Sequence, residues 1–180
     1  MLEDRTLFAF GLTTSTNLYT VDSGSGLVFS VQRTHPSGSV GDLTSAKLNG
    51  TELEAPFANS SRYSHYESGL SSATVVTATV DPNGQWILIA CDDTAAGGVG
   101  VIQYYIGRKG FNNIYVATYA PGPGSPSPGE MRFIDYTNPS VLTNIPAPSN
   151  NSGSTGAIES SDVFGHADGT TTSKYYGEYR

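Results

Sequence analysis

An all-β, antiparallel sandwich is the fold class this sequence predicts, and three observations lead there. The composition is turn-rich and polar without being charged: 21 Gly, 10 Pro and 11 Tyr stand in 180 residues of which only 14% are charged. A helical bundle would need far more Ala, Leu, Glu and Lys. Roughly ten short segments alternate in polarity or are rich in β-branched and aromatic residues, and none has a convincing helical period. Turn residues punctuate those segments throughout. At this length one domain with one substantial core is expected, so residues 1–180 are read as a single sandwich, large and antiparallel.

The elements follow in order. Phe8 to Thr13 and Asn17 to Asp22 alternate as strands, and Ser23-Gly-Ser-Gly26 turns the chain, glycine accepting positive φ without steric cost. Leu27, Phe29 and Val31 then face one side of a strand and Ser30 and Gln32 the other. A loop from His35 leads to Asp42–Leu48, and Asn49-Gly50 is the strongest hairpin-turn signal in the chain, with Thr51–Glu54 returning from it. Residues 55–69, rich in Ser and Tyr, are expected to form a long surface loop. Ala73–Val80 is β-branched and pairs across Asp81-Pro-Asn-Gly84 with Gln85–Cys91, whose continuous apolar run predicts burial on both faces. Val99–Ile106 and Asn113–Ala120 are further strands around a turn at Gly107-Arg-Lys-Gly110, and their Tyr104, Tyr105, Tyr115 and Tyr119 are expected to pack inside the sandwich. The low-complexity stretch Pro121–Gly129 is read as a rigid loop, because neither half alone has strands enough for a sandwich. Met131–Tyr136 resumes a strand with Arg132 and Ile134 on one side and Met131, Phe133 and Asp135 on the other. Residues 137–157 are irregular, and the closing segment turns at Ala167-Asp-Gly169.

Charge and motifs exclude several functions. The net charge of −7 and the absence of a basic stripe argue against nucleic acid as a partner. No apolar run is long enough to span a bilayer, so no membrane partner is expected. No glycine-rich phosphate loop precedes a helix. His35, His65 and His166 are scattered and Cys91 is alone, so no metal or other cofactor is expected. His166 between Asp162 and Asp168 lacks the strand–turn–helix context of a nucleophile elbow and reads as a polar loop. The opening Met1-Leu-Glu-Asp-Arg lacks the apolar core of a secretion leader, and sequons at Asn49, Asn59 and Asn150 carry little weight in a Ser/Thr-rich chain.

Several blocks in conserved order do carry a resemblance. Phe10-Gly-Leu-Thr-Thr-Ser, Ser64-His-Tyr-Glu-Ser-Gly-Leu-Ser-Ser-Ala-Thr-Val, Ala117-Thr-Tyr, Gly129-Glu-Met-Arg-Phe-Ile, Ala157-Ile-Glu-Ser-Ser-Asp-Val-Phe and Ser173-Lys-Tyr-Tyr together resemble fungal rhamnogalacturonan lyases of polysaccharide lyase family 4. The resemblance implies a secreted, extracellular, monomeric enzyme whose partner is rhamnogalacturonan I, the pectin backbone of alternating rhamnose and galacturonate, cleaved by β-elimination. It also implies that the sandwich is of the galactose-mutarotase-like type, stops before its end, and lacks the family's two C-terminal domains and downstream catalytic histidine. The family's catalytic lysine maps to Lys174 and a substrate-binding arginine to Arg132, while His65 and Tyr176 fall at candidate substrate contacts. The cysteine that some members carry before Asp42-Leu-Thr-Ser is missing, which leaves Cys91 unpaired.

Elimination chemistry explains the residue types. Removing the proton next to a uronate carboxylate builds negative charge beside an existing anion, and an arginine fork, always charged, grips that carboxylate with two hydrogen bonds. A lysine at its ordinary value of about 10.4 is a poor base at neutrality, and a neighbouring guanidinium and partial burial both lower it. Spacing alone would leave Arg132 a solvated strand residue and Lys174 a surface cover for aromatics; the resemblance assigns them their roles. Two competing readings are a non-catalytic carbohydrate-binding sandwich, suggested by the tyrosines, and an inactive lyase fragment with open strand edges.

Overall fold

The computed structural model describes residues 9–34, 40–56, 63–66, 69–121 and 132–142, and the strands at 163–165 and 171–173. Every regular element among them is a strand: β1 Gly11–Thr14, β2 Leu18–Asp22, β3 Leu27–Gln32, β4 Leu43–Leu48, β5 Thr51–Glu52, β6 His65–Tyr66, β7 Val75–Val80, β8 Trp86–Asp92, β9 Ile102–Arg108, β10 Ile114–Tyr119, β11 Phe133–Ile134, β12 Val163–Gly165 and β13 Thr171–Ser173. All pairings are antiparallel. The chain divides into two compact units, Met1–Val141 and Leu142–Arg180.

Within the first unit, β1 to β5 form a five-stranded meander in sequence order and β7 to β10 a four-stranded one. The turns are those the residues dictate. Asn49 and Gly50 both adopt positive φ, 51° and 82°, the backbone of a two-residue turn whose twist matches the strands it joins. The two meanders face each other across one core. Val21, Phe29, Val31, Leu43 and Ala46 come from the five-stranded sheet, and Ile87, Ile89, Cys91 and Tyr105 from the other. Complete burial of each large apolar side chain contributes roughly 1.5–3 kcal/mol. The sheets approach closely at Gly107, where a Cβ would lie 2.7 Å from Val21 Cγ1 and 3.0 Å from Phe29 Cε1. A side chain there would wedge the layers apart.

Three expectations are corrected. The apolar run of β8 is buried on one face only: Ile87, Ile89 and Cys91 are inside, whereas Trp86, Leu88 and Ala90 are half-buried on the outer face. Of the four tyrosines, Tyr105 alone lies in the core, while Tyr104 is half-buried and Tyr115 and Tyr119 are exposed, Tyr119 at 53%. The register explains this. Tyr115, Ala117 and Tyr119 pair with Ile106, Tyr104 and Ile102, and strict alternation turns all six away from Tyr105. A shallow concavity of about 460 Å³ lies on that outer face over Thr77, Ala90 and Tyr104.

The third correction matters for function. The loop expected over residues 55–69 contains the buried strand β6, which pairs with β11 as Phe133↔Tyr66 and Ile134↔His65. A two-residue strand is too short for any period to reveal, and its partner is distant in sequence. Polar positions on β3 are also buried, and they stay satisfied: Ser30 and Thr20 hydroxyls meet at 2.8 Å, and Gln32 Nε2 donates to the Thr34 carbonyl at 2.6 Å. In the second unit β12 and β13 form a ribbon, pairing Val163↔Ser173 and Gly165↔Thr171.

Candidate functional site

The β6–β11 ribbon gathers the sequence-derived residues of the first unit. It is fastened to the end of the five-stranded sheet by backbone bonds. Leu43 N donates to Ser64 O at 2.8 Å, Ala55 N to Tyr136 O at 2.7 Å and Asn138 N to Leu53 O at 2.6 Å. Alternation divides the ribbon into two faces. Ser64, Tyr66, Phe133 and Asp135 share one, and it faces inward: Phe133 packs on the core with its ring edge against Tyr105 at 5.9 Å and 75°. The other face carries His65 opposite Ile134, and the same alternation puts Tyr136 on that side. His65 and Tyr136 stack there, ring centres 5.8 Å apart and planes 12° from parallel. His65 Nδ1 lies 2.6 Å from the Tyr63 carbonyl, which fixes the ring. His65 is buried and Arg132 half-buried. His65 and Tyr136 therefore share one face of the ribbon, and Arg132 directly precedes β11. Lys174 and Tyr176 lie outside the described residues, as do Glu159, Asp162, His166 and Asp168.

Behind the ribbon sits a group that sequence reasoning missed. Glu54, only 3% exposed, follows β5 and bridges to Thr137. Its Oε2 is 2.7 Å from Ser64 Oγ, which is also 3.0 Å from Asp135 Oδ1 and accepts the Tyr136 backbone N–H at 2.8 Å. Burial pushes the Glu54 carboxyl up to about 7; the Ser64 hydroxyl draws it down, and the charges of Asp135 and Glu52 add to the rise. Glu52 is held apart by its own partners, accepting from Ser45 Oγ at 2.6 Å and Ala46 N at 2.8 Å. Nothing in the sequence marks Glu54, because its partners lie 10 residues away and, through Ser64, a further 71. A carboxylate directly after a hairpin return was the one available signal.

Chemically, the ribbon carries the buried His65 stacked on Tyr136, with the half-buried Arg132 just before β11, residue types that can meet an acidic sugar ring. The inner face offers a carboxyl that titrates near neutrality. Among the described residues no group of three or more His, Cys, Asp or Glu side chains is placed to hold a metal ion.

Comparison with known proteins adds the following. The family model described as rhamnogalacturonan lyase B, N-terminal, matches residues 10–180. A probable rhamnogalacturonate lyase A of Aspergillus flavus is 39% identical over 176 residues, covering 96% of this chain and 30% of that protein. The rhamnogalacturonate lyase A of Aspergillus aculeatus is 38% identical over 178 residues, again 96% of this chain and 30% of its own length. A putative rhamnogalacturonase of Neurospora crassa is 35% identical over 187 residues, with coverage of 97% and 30%. The chain thus spans about 30% of the length of these curated relatives.

Proposed function

The chain belongs to the family described as rhamnogalacturonan lyase B, N-terminal, and from that premise we propose that it serves to cleave rhamnogalacturonan I by β-elimination. The observation that carries the reading is the family match over residues 10–180, reinforced by the pairing of the His65 strand with β11, which Arg132 directly precedes. In this reading Arg132 grips the galacturonate carboxylate with its fork and absorbs the charge that builds as the neighbouring C5 proton leaves. Lys174, unprotonated, takes that proton. The electron pair forms the C4–C5 double bond, the C4–O bond breaks, and the departing sugar oxygen takes up a proton. The proton gained by the departing oxygen balances the one Lys174 removed, so the step consumes no water. His65 and Tyr176 serve as further sugar contacts, Tyr136 joining them through its stack with His65. The polymer substrate suits an extracellular, secreted setting and a monomer that meets it alone.

The test is direct. Purified chain mixed with rhamnogalacturonan I should generate the ultraviolet absorbance of an unsaturated uronate. Lys174→Ala should lower the rate by roughly 10²–10⁴, the usual worth of a positioned base. No absorbance rise from the wild-type chain contradicts the proposal.

A second reading, a carbohydrate-binding module without turnover, draws support from Tyr115 and Tyr119 exposed on the outer face of the four-stranded sheet. Calorimetry with pectic oligosaccharides separates the two. Heat of binding without product, abolished by Tyr119→Ala and untouched by Arg132→Ala, would favour the module.

A further inference from the structure

The three side chains behind the ribbon have one proton too few unless a carboxyl supplies it. Ser64 has a single hydroxyl proton, yet its oxygen lies within hydrogen-bond distance of both Glu54 Oε2 and Asp135 Oδ1, and one of its two acceptor lone pairs is taken by the Tyr136 N–H. One of the two carboxylate contacts must be made by a carboxyl O–H. Asp135 is exposed and Glu54 almost fully buried. Ionising the solvated partner and protonating the buried one is the cheaper arrangement. The proton then sits on Glu54, which donates to Ser64, which donates to the Asp135 carboxylate.

We propose that Glu54, Ser64 and Asp135 form a proton-sharing clasp that sets the position of Arg132, making them positioning residues for the uronate-binding arginine. The assignment of Arg132 to a uronate rests on the function proposed above; the clasp itself does not. Geometry supplies the connection. Asp135 and Tyr136 directly follow β11, Arg132 directly precedes it, and Ser64 directly precedes β6. The clasp therefore ties the ends of both ribbon strands to the segment after β5. Among the described residues, the charged groups that act on Glu54 are Asp135 from the ribbon and Glu52 from β5, and Glu54 in turn raises the buried Tyr105 phenol. His65 belongs to the ribbon's opposite face. Ionising Glu54 sets two carboxylates against one hydroxyl proton. The longer contact, 3.0 Å to Asp135, is the one that yields. The end of β11 is then released, and Arg132, still charged, loses its fixed direction. The Glu54 carboxyl loses its proton near neutrality, as the burial described above requires, so the clasp is shut in mild acid and open in mild base.

Two magnetic-resonance signals test the clasp without any ligand: the Tyr136 amide and the Arg132 Nε–H, each followed from about pH 5 to about pH 9 in the full chain. In the wild type both should move together with a midpoint near 7. Glu54→Gln, which keeps a neutral donor towards Ser64, should abolish both shifts. A Tyr136 signal that does not titrate, or that titrates equally in Glu54→Gln, overturns the clasp. A Tyr136 shift with a stationary Arg132 overturns the positioning role. Calorimetry then reads the consequence: the Kd of a galacturonate-containing oligosaccharide should rise roughly fivefold from about pH 6 to about pH 8.5 in the wild type and stay level in Glu54→Gln. A rise retained in Glu54→Gln contradicts the proposal. Absence of binding at every pH, with both signals titrating, counts against the uronate assignment and leaves the clasp supported.

Discussion

Replacing Glu54 by Gln should flatten the dependence of folding stability on pH. In the unfolded chain this carboxyl titrates at its ordinary 4.5, and in the folded chain at about 7. Between those values the folded state holds a proton that the unfolded state does not. Stability is therefore fully present below about pH 4.5 and falls as pH rises through about 7, where it levels off. At about 1.4 kcal/mol per tenfold, the interval from 4.5 to about 7 corresponds to a loss of about 3 kcal/mol. That is a large share of the stability of a domain of this size. Gln cannot ionise and keeps a neutral hydrogen-bonding head, so its profile across the window should be level, and the variant should exceed the wild type above pH 7 by up to about 3 kcal/mol. Urea titrations at closely spaced pH values measure both profiles, and their difference isolates this one group. A wild-type curve that is flat between about 4.5 and about 7, or a Gln variant that declines as steeply, would refute the reasoning.

Two other sites behave differently. Asp93 is buried and accepts from the backbone of Ser71 at 2.9 Å and Val99 at 3.0 Å and from the Ser71 hydroxyl. Burial alone would raise its carboxyl, but these bonds outweigh it and hold it below the usual range. Asp93→Ala strips the β8–β9 connection of its anchor and should cost on the order of 3 kcal/mol in a denaturant titration near neutrality. In the wild type this contribution should fade only in strong acid, the opposite sign to Glu54. Cys91 is completely buried, and burial, with Asp42 nearby, pushes its thiol up to about 12. A thiol reagent at neutral pH should leave it unmodified in the native chain and modify it only on unfolding, in contrast to an exposed cysteine near 8.5.

Local chemistry made much of the fold legible. Asn49-Gly50 announces its hairpin because that backbone matches the twist of the strands it joins in two residues, and the apolar alternation of β3 names its share of the core, whereas the apolar run of β8 marks a core strand without telling which face is inside. What escaped was set by distant pairing. Nothing local distinguishes His65–Tyr66 from the irregular sequence around it; the strand exists because Phe133–Ile134 supplies its partner. Glu54 looked like one more polar residue returning from a turn, and only the closing of Ser64 and Asp135 over it makes it a buried acid. Tyr115 and Tyr119 were misplaced for a related reason: alternation tells which residues share a face, and only the second sheet tells which face is inside. The pairing expected from the motifs, Arg132 with Lys174, falls partly outside the described residues, and the pairing of the His65 strand with the one that follows Arg132 was not foreseen.

The account turns on a guanidinium just before β11 meeting a uronate carboxylate, and a double comparison tests that most directly. Calorimetry would measure wild type and Arg132→Ala against a rhamnogalacturonan oligosaccharide and the same oligosaccharide with its carboxyls reduced to alcohols. The wild type should lose roughly tenfold or more in affinity on reduction, whereas Arg132→Ala should bind both weakly and alike. An Arg132→Ala variant that still prefers the carboxylate form as strongly as the wild type would contradict the account.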